Sequence, residues 1–233
     1  MTILKKIREI VLDTETTGLN WENGDRIVEI GCVELINHIP TGNTYQTYIN
    51  PQTQMQKDSI EITGLTDDFL KDKPLFSEIA DDFLKFVSDG ILVIHNASFD
   101  ISFLNSELGR LGKPQFKLEE VIDTLDLAHR KFPGAQANLD ALCRRFNIDA
   151  SSREKHGALI DSELLAEVYI QLLGGRQSGL EFESKEAIAA EVTMGQQKQN
   201  RQKRVFAPSE EELLAHREFV KTMEAPIWDR IIQ

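Results

Sequence analysis

The run Ile10-Val11-Leu12 breaks abruptly into Asp13-Thr14-Glu15-Thr16-Thr17-Gly18, and this junction constrains the fold more than any other feature. A β-branched apolar run that stops at turn-forming residues reads as a buried strand, here Ile7 to Leu12. Two carboxylates then sit at a strand end. Asp13 and Glu15 are two residues apart, so the period of a strand points both to one side of a sheet, where they can share a metal ion. Taken alone, Asp-x-Glu reads more readily as a solvated turn.

The sheet needs partners. Arg26 to Leu35 and Thr44 to Ile49 read as strands on either side of the turn-rich Pro40-Thr41-Gly42-Asn43, which suggests an antiparallel hairpin. From Phe76, the positions Ile79, Ala80, Phe83, Leu84 and Val87 recur at helical spacing until Gly90. Ile91 to Ile94 is a short buried strand, and Phe103, Leu104, Leu108 and Leu111 mark the helix after it. The alternation is βαβ-like, an α/β class. Helices over Asn138 to Phe146 and Ala158 to Leu173 follow, closed by Gly174-Gly175.

A chain of 233 residues exceeds one ordinary domain by a modest appendage. The appendage is expected in three steps: a domain over 1–175, a polar linker over 176–206 and a C-terminal segment over 207–233. Residues 177–204 are rich in Gln, Glu and Lys and lack the apolar surface to offset the entropy of ordering. Beyond Pro208, Ser209 and Glu212 have capping-box spacing, and Leu213, Leu214, Phe219, Val220 and Met223 offer apolar surface before Pro226 and Trp228. So short a helix gains by burial against a partner, although packing on its own domain is the alternative.

No stretch approaches the roughly 20 consecutive apolar residues that span a bilayer, and Met1-Thr2-Ile3-Leu4-Lys5-Lys6 is not followed by a secretory apolar run. A soluble, cytoplasmic protein with no membrane partner is expected. Cys32 and Cys143 lie in apolar stretches without zinc-site spacing and read as buried reduced thiols. A net charge of −12 argues against gripping nucleic acid by bulk electrostatics. Bound divalent cations could supply local positive charge.

Two further clusters accompany Asp13 and Glu15. Asp100 closes His95-Asn96-Ala97-Ser98-Phe99-Asp100 beyond a buried strand, where sites gather in α/β sheets; helix capping by Ser98 or Asp100 explains the segment equally well. His156-Gly157-Ala158-Leu159-Ile160-Asp161 precedes an apolar helix. Five helical residues turn through roughly 500°, so His156 and Asp161 converge only if His156 sits in the preceding loop, with Gly157 permitting the bend. Together these groups suit phosphodiester hydrolysis: two metal ions about 4 Å apart stabilise the attacking and leaving oxygens, and a histidine takes the proton from water.

Val11-Leu12-Asp13-Thr14-Glu15-Thr16-Thr17-Gly18, His95 to Asp100 and His156 to Asp161 resemble, in order and spacing, the DEDDh 3′ to 5′ exonucleases over roughly residues 7–173. Asp123-Thr124-Leu125, Phe132-Pro133-Gly134, Asn138 to Cys143 and Leu165 to Tyr169 extend the likeness toward the proofreading subunits of bacterial replicative polymerases. The resemblance implies a ribonuclease H-like fold, a mixed five-stranded sheet flanked by helices. It implies two Mg²⁺ or Mn²⁺ ions held by Asp13, Glu15 and Asp161, with Asp100 acting through coordinated water and His156 as general base. Asp58 and Thr63 would join Asp13, Glu15 and Asp161 in contacting the terminal nucleotide, although members of that group can carry Glu and His at those two places. The implied partners are the single-stranded 3′ end of DNA, the polymerase (alpha) subunit through the C-terminal segment, and a further small core subunit on the exonuclease domain. A stand-alone exonuclease of RNA maturation or DNA repair is the alternative enzyme, and a non-catalytic scaffold of a replication complex the alternative of another class.

Overall fold

The computed structural model describes residues 6–151, 153, 155–175 and 208–222. The chain divides into two units, residues 1–180 and 181–233. The expected linker, residues 1–5, Ala207 and the segment from Met223 onward, with Pro226 and Trp228, lie outside the described residues.

The first unit holds a five-stranded sheet of order β3-β2-β1-β4-β5. Strand β1 (Arg8–Thr16) pairs antiparallel with β2 (Ile27–Ile36), which pairs antiparallel with β3 (Ile39–Tyr48). On its other side β1 runs parallel to β4 (Ile91–Ile94), and β4 parallel to β5 (Ile122–Asp123). Helices α1 (Lys57–Thr63), α2 (Asp67–Leu70) and α3 (Phe76–Val87) precede β4, and α4 (Ala97–Arg110) follows it. After β5 come α5 (Thr124–Lys131), α6 (Leu139–Phe146) and α7 (Ala158–Leu172). The mixed, helix-flanked sheet is the one the resemblance implied.

Residue parity in β1 sorts the molecule into two layers. Ile10 and Leu12 join Phe83 of α3 with Phe103 and Leu104 of α4, whereas Val11 joins Leu165, Ala166 and Tyr169 of α7. Each of the buried Ile, Leu, Val and Phe side chains contributes about 1.5–3 kcal/mol. The same parity puts Glu9, Asp13 and Glu15 on the side of α7.

Three expectations about element bounds are corrected. β1 does not stop at Leu12 but runs to Thr16, because Gly31, Ile30 and Glu29 of β2 continue the ladder opposite Asp13, Thr14 and Glu15. The two carboxylates are therefore ladder residues near the strand's end rather than turn residues beyond it. The hairpin is present, but its turn falls at Asn37-His38, both with positive φ (50° and 62°), as a two-residue turn between right-twisted strands requires. Pro40-Thr41-Gly42-Asn43 lies within β3 where its register against β2 shifts, and an edge strand accommodates both the proline and the bulge. Finally, α4 begins at Ala97, so Ser98 and Asp100 are already helical.

In the second unit, α8 (Glu210–Lys221) begins with the expected capping box: the Ser209 hydroxyl accepts from the Glu212 amide, and the Ser209 amide donates to Glu212 Oε2 at 2.8 Å. Leu213, Leu214 and Phe219 are exposed. Among the described residues no helix is long and apolar enough to cross a membrane. Cys32 and Cys143 are buried and free of disulfides.

Candidate active site

The site depends on how closely α7 approaches the sheet. Gly31 faces Asp13 across the β1–β2 ladder, and a Cβ placed on it would lie 2.2 Å from the backbone of Ala158 and Leu159. A glycine there lets the first turn of α7 rest on β2, where the Ser162 hydroxyl donates to the Gly31 carbonyl at 3.0 Å. Two turns later the buried Tyr169 hydroxyl donates to Glu9 Oε1 at 2.6 Å. So seated, α7 carries Asp161 over the face that holds Asp13 and Glu15.

Glu15, His156 and Asp161 each present a ligand atom, and these atoms all lie within 4.8 Å of one another. Asp13 is half-buried beside the group, in the field of Asp100, Glu15 and Asp161. Asp100 does not cap its helix: its Oδ1 accepts the amide of Thr14 at 3.0 Å and the hydroxyl of Thr14 at 2.7 Å. Capping falls to Asp123 at the end of β5, whose carboxylate accepts the amides of Asn96 and Ala97, each at 3.0 Å, and that of Leu125 at 2.8 Å. Asn96 takes the left-handed conformation, φ 60°, which asparagine tolerates. Ser98 has no side-chain cap to make, and the Thr16 hydroxyl donates to Gly18 O within the following turn.

His156 lies in the loop ahead of α7, as the spacing required, with Gly157 extended at the helix start. Its amide donates to the Ile62 carbonyl at 3.2 Å, and Lys155 Nζ donates to the Glu61 carbonyl at 2.5 Å, which ties the loop to the end of α1. A cleft of about 400 Å³ opens between α1, Asp140 and this loop. The structure thus gathers Asp13, Glu15, Asp100, His156 and Asp161. Asp58 is exposed on the first turn of α1, and Thr63 is buried at its end, where its hydroxyl donates to Ser59 O at 2.8 Å and accepts the amide of Leu65 at 3.1 Å. Neither belongs to the carboxylate group.

Crowding changes the acids. Burial, reinforced by the charges of Asp100, Glu15 and Asp161, raises the Asp13 carboxyl well above the usual range. Burial and then Asp161, Glu29 and Asp100 push Glu15 up to about 8. Burial pushes Asp100 up to about 7 against the lowering effect of the Thr14 hydrogen bonds. Oxygen donors packed this tightly, and this reluctant to ionise together, suit a hard divalent cation.

Three participants escaped the sequence reading. Gly31 had a signal, a lone glycine inside a β-branched strand, which marks close backbone approach. Glu29 sits opposite Glu15, buried, accepting from Gln46 Nε2 at 2.8 Å, its own carboxyl raised by burial. Arg153 forms a two-pronged pair with Asp161, through Nε and through Nη2 at 2.6 Å, and also reaches Asp140 and His156. It lies in a polar stretch where no periodicity marks it.

Comparison with known proteins follows the same lines. The family model described as the RNase T-type exonuclease matches residues 10–169. The DNA polymerase III subunit epsilon of Rickettsia conorii is 50% identical over 222 residues, 93% of this chain and 96% of that protein. The corresponding protein of Haemophilus influenzae is 41% identical over 246 residues, 96% of this chain and 95% of that one. Among solved structures, the nuclease domain of 3′hExo, a DEDDh family member bound to rAMP, superposes with a TM-score of 0.63 at 21% identity, over 72% of this chain and 92% of that one. Exonuclease X in complex with 5′ overhanging duplex DNA gives 0.55 at 26% identity, over 70% and 90%.

Proposed function

Because this chain belongs to the DEDDh exonucleases, and within them to the epsilon subunits of bacterial DNA polymerase III, we propose that its acidic cluster removes the terminal nucleotide from a single-stranded DNA 3′ end with two Mg²⁺ or Mn²⁺ ions. The activity is proofreading 3′ to 5′ exonucleolysis. The product would be a nucleoside 5′-monophosphate. The observation that carries the metal reading is the convergence of Glu15, His156 and Asp161 ligand atoms within 4.8 Å, with Asp13 in the field of Glu15 and Asp161.

Asp13, Glu15 and Asp161 would hold the ions directly, with Asp100 acting through coordinated water. When bound, the ions supply positive charge to the attacking and leaving oxygens of the phosphodiester. His156, on an accessible loop with its side chain 46% exposed, receives the proton of the attacking water. Thr14 fixes the orientation of Asp100, and Gly31 the height of Asp161 above the sheet. Asp58 lines the terminal nucleotide from α1. Thr63, whose hydroxyl is engaged within its own segment, steadies the end of α1 to which the His156 loop is bonded.

The segment 207–233 binds the polymerase (alpha) subunit, an assignment supported by the exposed Leu213, Leu214 and Phe219 of α8. A further small subunit would sit on the domain 1–175, and the complex would work in the cytoplasm. The test is degradation of a 5′-labelled single strand in Mg²⁺, beside EDTA and Asp13→Asn. Stepwise shortening from the 3′ end, abolished by EDTA and by Asp13→Asn, is expected. Faster degradation of a matched RNA would turn the reading to RNA maturation, and no shortening of either strand by the folded protein would leave a scaffold.

A further inference from the structure

Arg153 occupies both oxygens of the Asp161 carboxylate, Nε on Oδ1 and Nη2 on Oδ2. The same Nη2 lies 2.7 Å from His156 Nδ1, and Nη1 is bonded to Asp140 on α6. The Arg153 side chain is 9% exposed and that of Asp161 5%, so this pair is enclosed, whereas the contacts to Asp140 and His156 lie toward the surface. Each has a chemical consequence. A metal ion that takes an oxygen of Asp161 brings its positive charge against the guanidinium held there, and so competes with a two-pronged pair, the strongest pairing available to a carboxylate and a guanidinium. Guanidinium has donors only, so in this contact Nδ1 of His156 is the acceptor, although the same nitrogen also lies 3.3 Å from Asp161 Oδ2. In a neutral imidazole the proton then sits on Nε2, and neither nitrogen is open to take another from water.

We infer that Arg153 is a latch released by metal: it holds Asp161 and His156 in an unproductive arrangement until a divalent cation competes it off Asp161, after which it stays tethered by Asp140. The inference rests on the proposed metal site and adds to it a positioning residue, one that acts through Asp161 and His156. With Arg153 closed, the acid cluster is partly neutralised and the general base is tied up. Once it is released, Asp161 and Nδ1 of His156 are free at the same moment, so metal loading and activation of the base become one event.

The full chain, stripped of metal at about pH 8, is titrated with Mn²⁺ and the free ion followed by electron paramagnetic resonance, for the native protein, Arg153→Gln and Arg153→Lys. Removing the competitor should tighten Mn²⁺ binding at least about fivefold in Arg153→Gln, with a smaller gain in Arg153→Lys, whose point charge cannot hold both oxygens. Nitrogen NMR of the imidazole should show His156 protonated at Nε2 in the metal-free native protein and lose that fixed tautomer in Arg153→Gln. Should Arg153→Gln fail to fold, Arg153→Lys alone decides. Mn²⁺ bound equally or more weakly by the variants sinks the latch while leaving the metal site standing. No Mn²⁺ bound by any of the three proteins sinks the site itself, and the latch with it.

Discussion

Gly31 and Asp13 stand opposite one another in the β1–β2 ladder, and the missing side chain of the first sets the surroundings of the second. Gly31→Ala should push the start of α7 off the sheet, since its Cβ meets backbone at 2.2 Å rather than a flexible side-chain end. Overpacking of this kind costs about 1–3 kcal/mol, seen as a lower urea midpoint. Exonuclease activity should fall by more than the loss of folded protein explains, because Asp161 moves with the helix. A variant with native activity would show that α7 tolerates the shift.

The raised carboxyls make metal-free stability depend on pH. Glu15, pushed to about 8, and Asp100, pushed to about 7, keep protons in the folded chain that the unfolded chain has shed near pH 4. Their contribution is complete below about pH 4 and is lost as pH climbs toward about 8, so unfolding in EDTA should become easier over that interval. Mn²⁺ affinity should strengthen over the same interval, as fewer protons have to be displaced. Glu15→Gln should flatten part of the trend in EDTA, which thermal melts at several pH values would measure; an unchanged slope would remove Glu15 from the account.

Asp123 holds α4 in place from a strand that contributes only two residues to the sheet. Asp123→Ala strands the amides of Asn96, Ala97 and Leu125 together. A loss of about 2 kcal/mol is expected, the upper end for a cap. Asp100 rides on the helix so released, and kcat should therefore drop although Asp123 touches no other acid of the site by hydrogen bond. Chemical denaturation and single-turnover kinetics on the same preparation would separate the two effects.

A chain ending at Gly175 retains every acid of the cluster together with His156. It should degrade free single-stranded DNA at a rate within about threefold of the full chain, since none of the groups assigned to the chemistry lies beyond residue 175. It should at the same time lose binding to the polymerase subunit, measured by sedimentation or calorimetry. Undiminished binding would move the contact to the domain.

The chemistry was legible where the groups lie in short contiguous stretches, as in Asp13-Thr14-Glu15 or the six residues from His156 to Asp161. The helix carrying Phe83 and Val87 was legible because its apolar positions repeat at the helical period. The turn at Asn37-His38 was hidden behind Pro40 and Gly42, residues that advertise a turn but serve here in an edge strand with a shifted register. Strand β1 outran its expected end because pairing partners, and not its own composition, decide where a strand stops. Arg153 and Glu29 were invisible for a related reason: each acts on groups that the chain brings to it only in three dimensions.

Side-chain hydrogen bonds fasten helix α7 to the sheet near its start, by Ser162 to Gly31, and two turns on, by Tyr169 to Glu9. These fastenings fall seven residues apart on the helix and, through the partner of Gly31, four residues apart on β1, spans of about 10 Å and about 13 Å. Helix and strand therefore behave like two rulers pinned together at both ends of a scale. A single codon gained or lost in β1 between Glu9 and Asp13, or in α7 between Ser162 and Tyr169, would throw one pin out of line with the other and turn side chains to the wrong face. The loop between α4 and β5 carries no such fastening to α7, and changes of length in this protein's lineage should accumulate there.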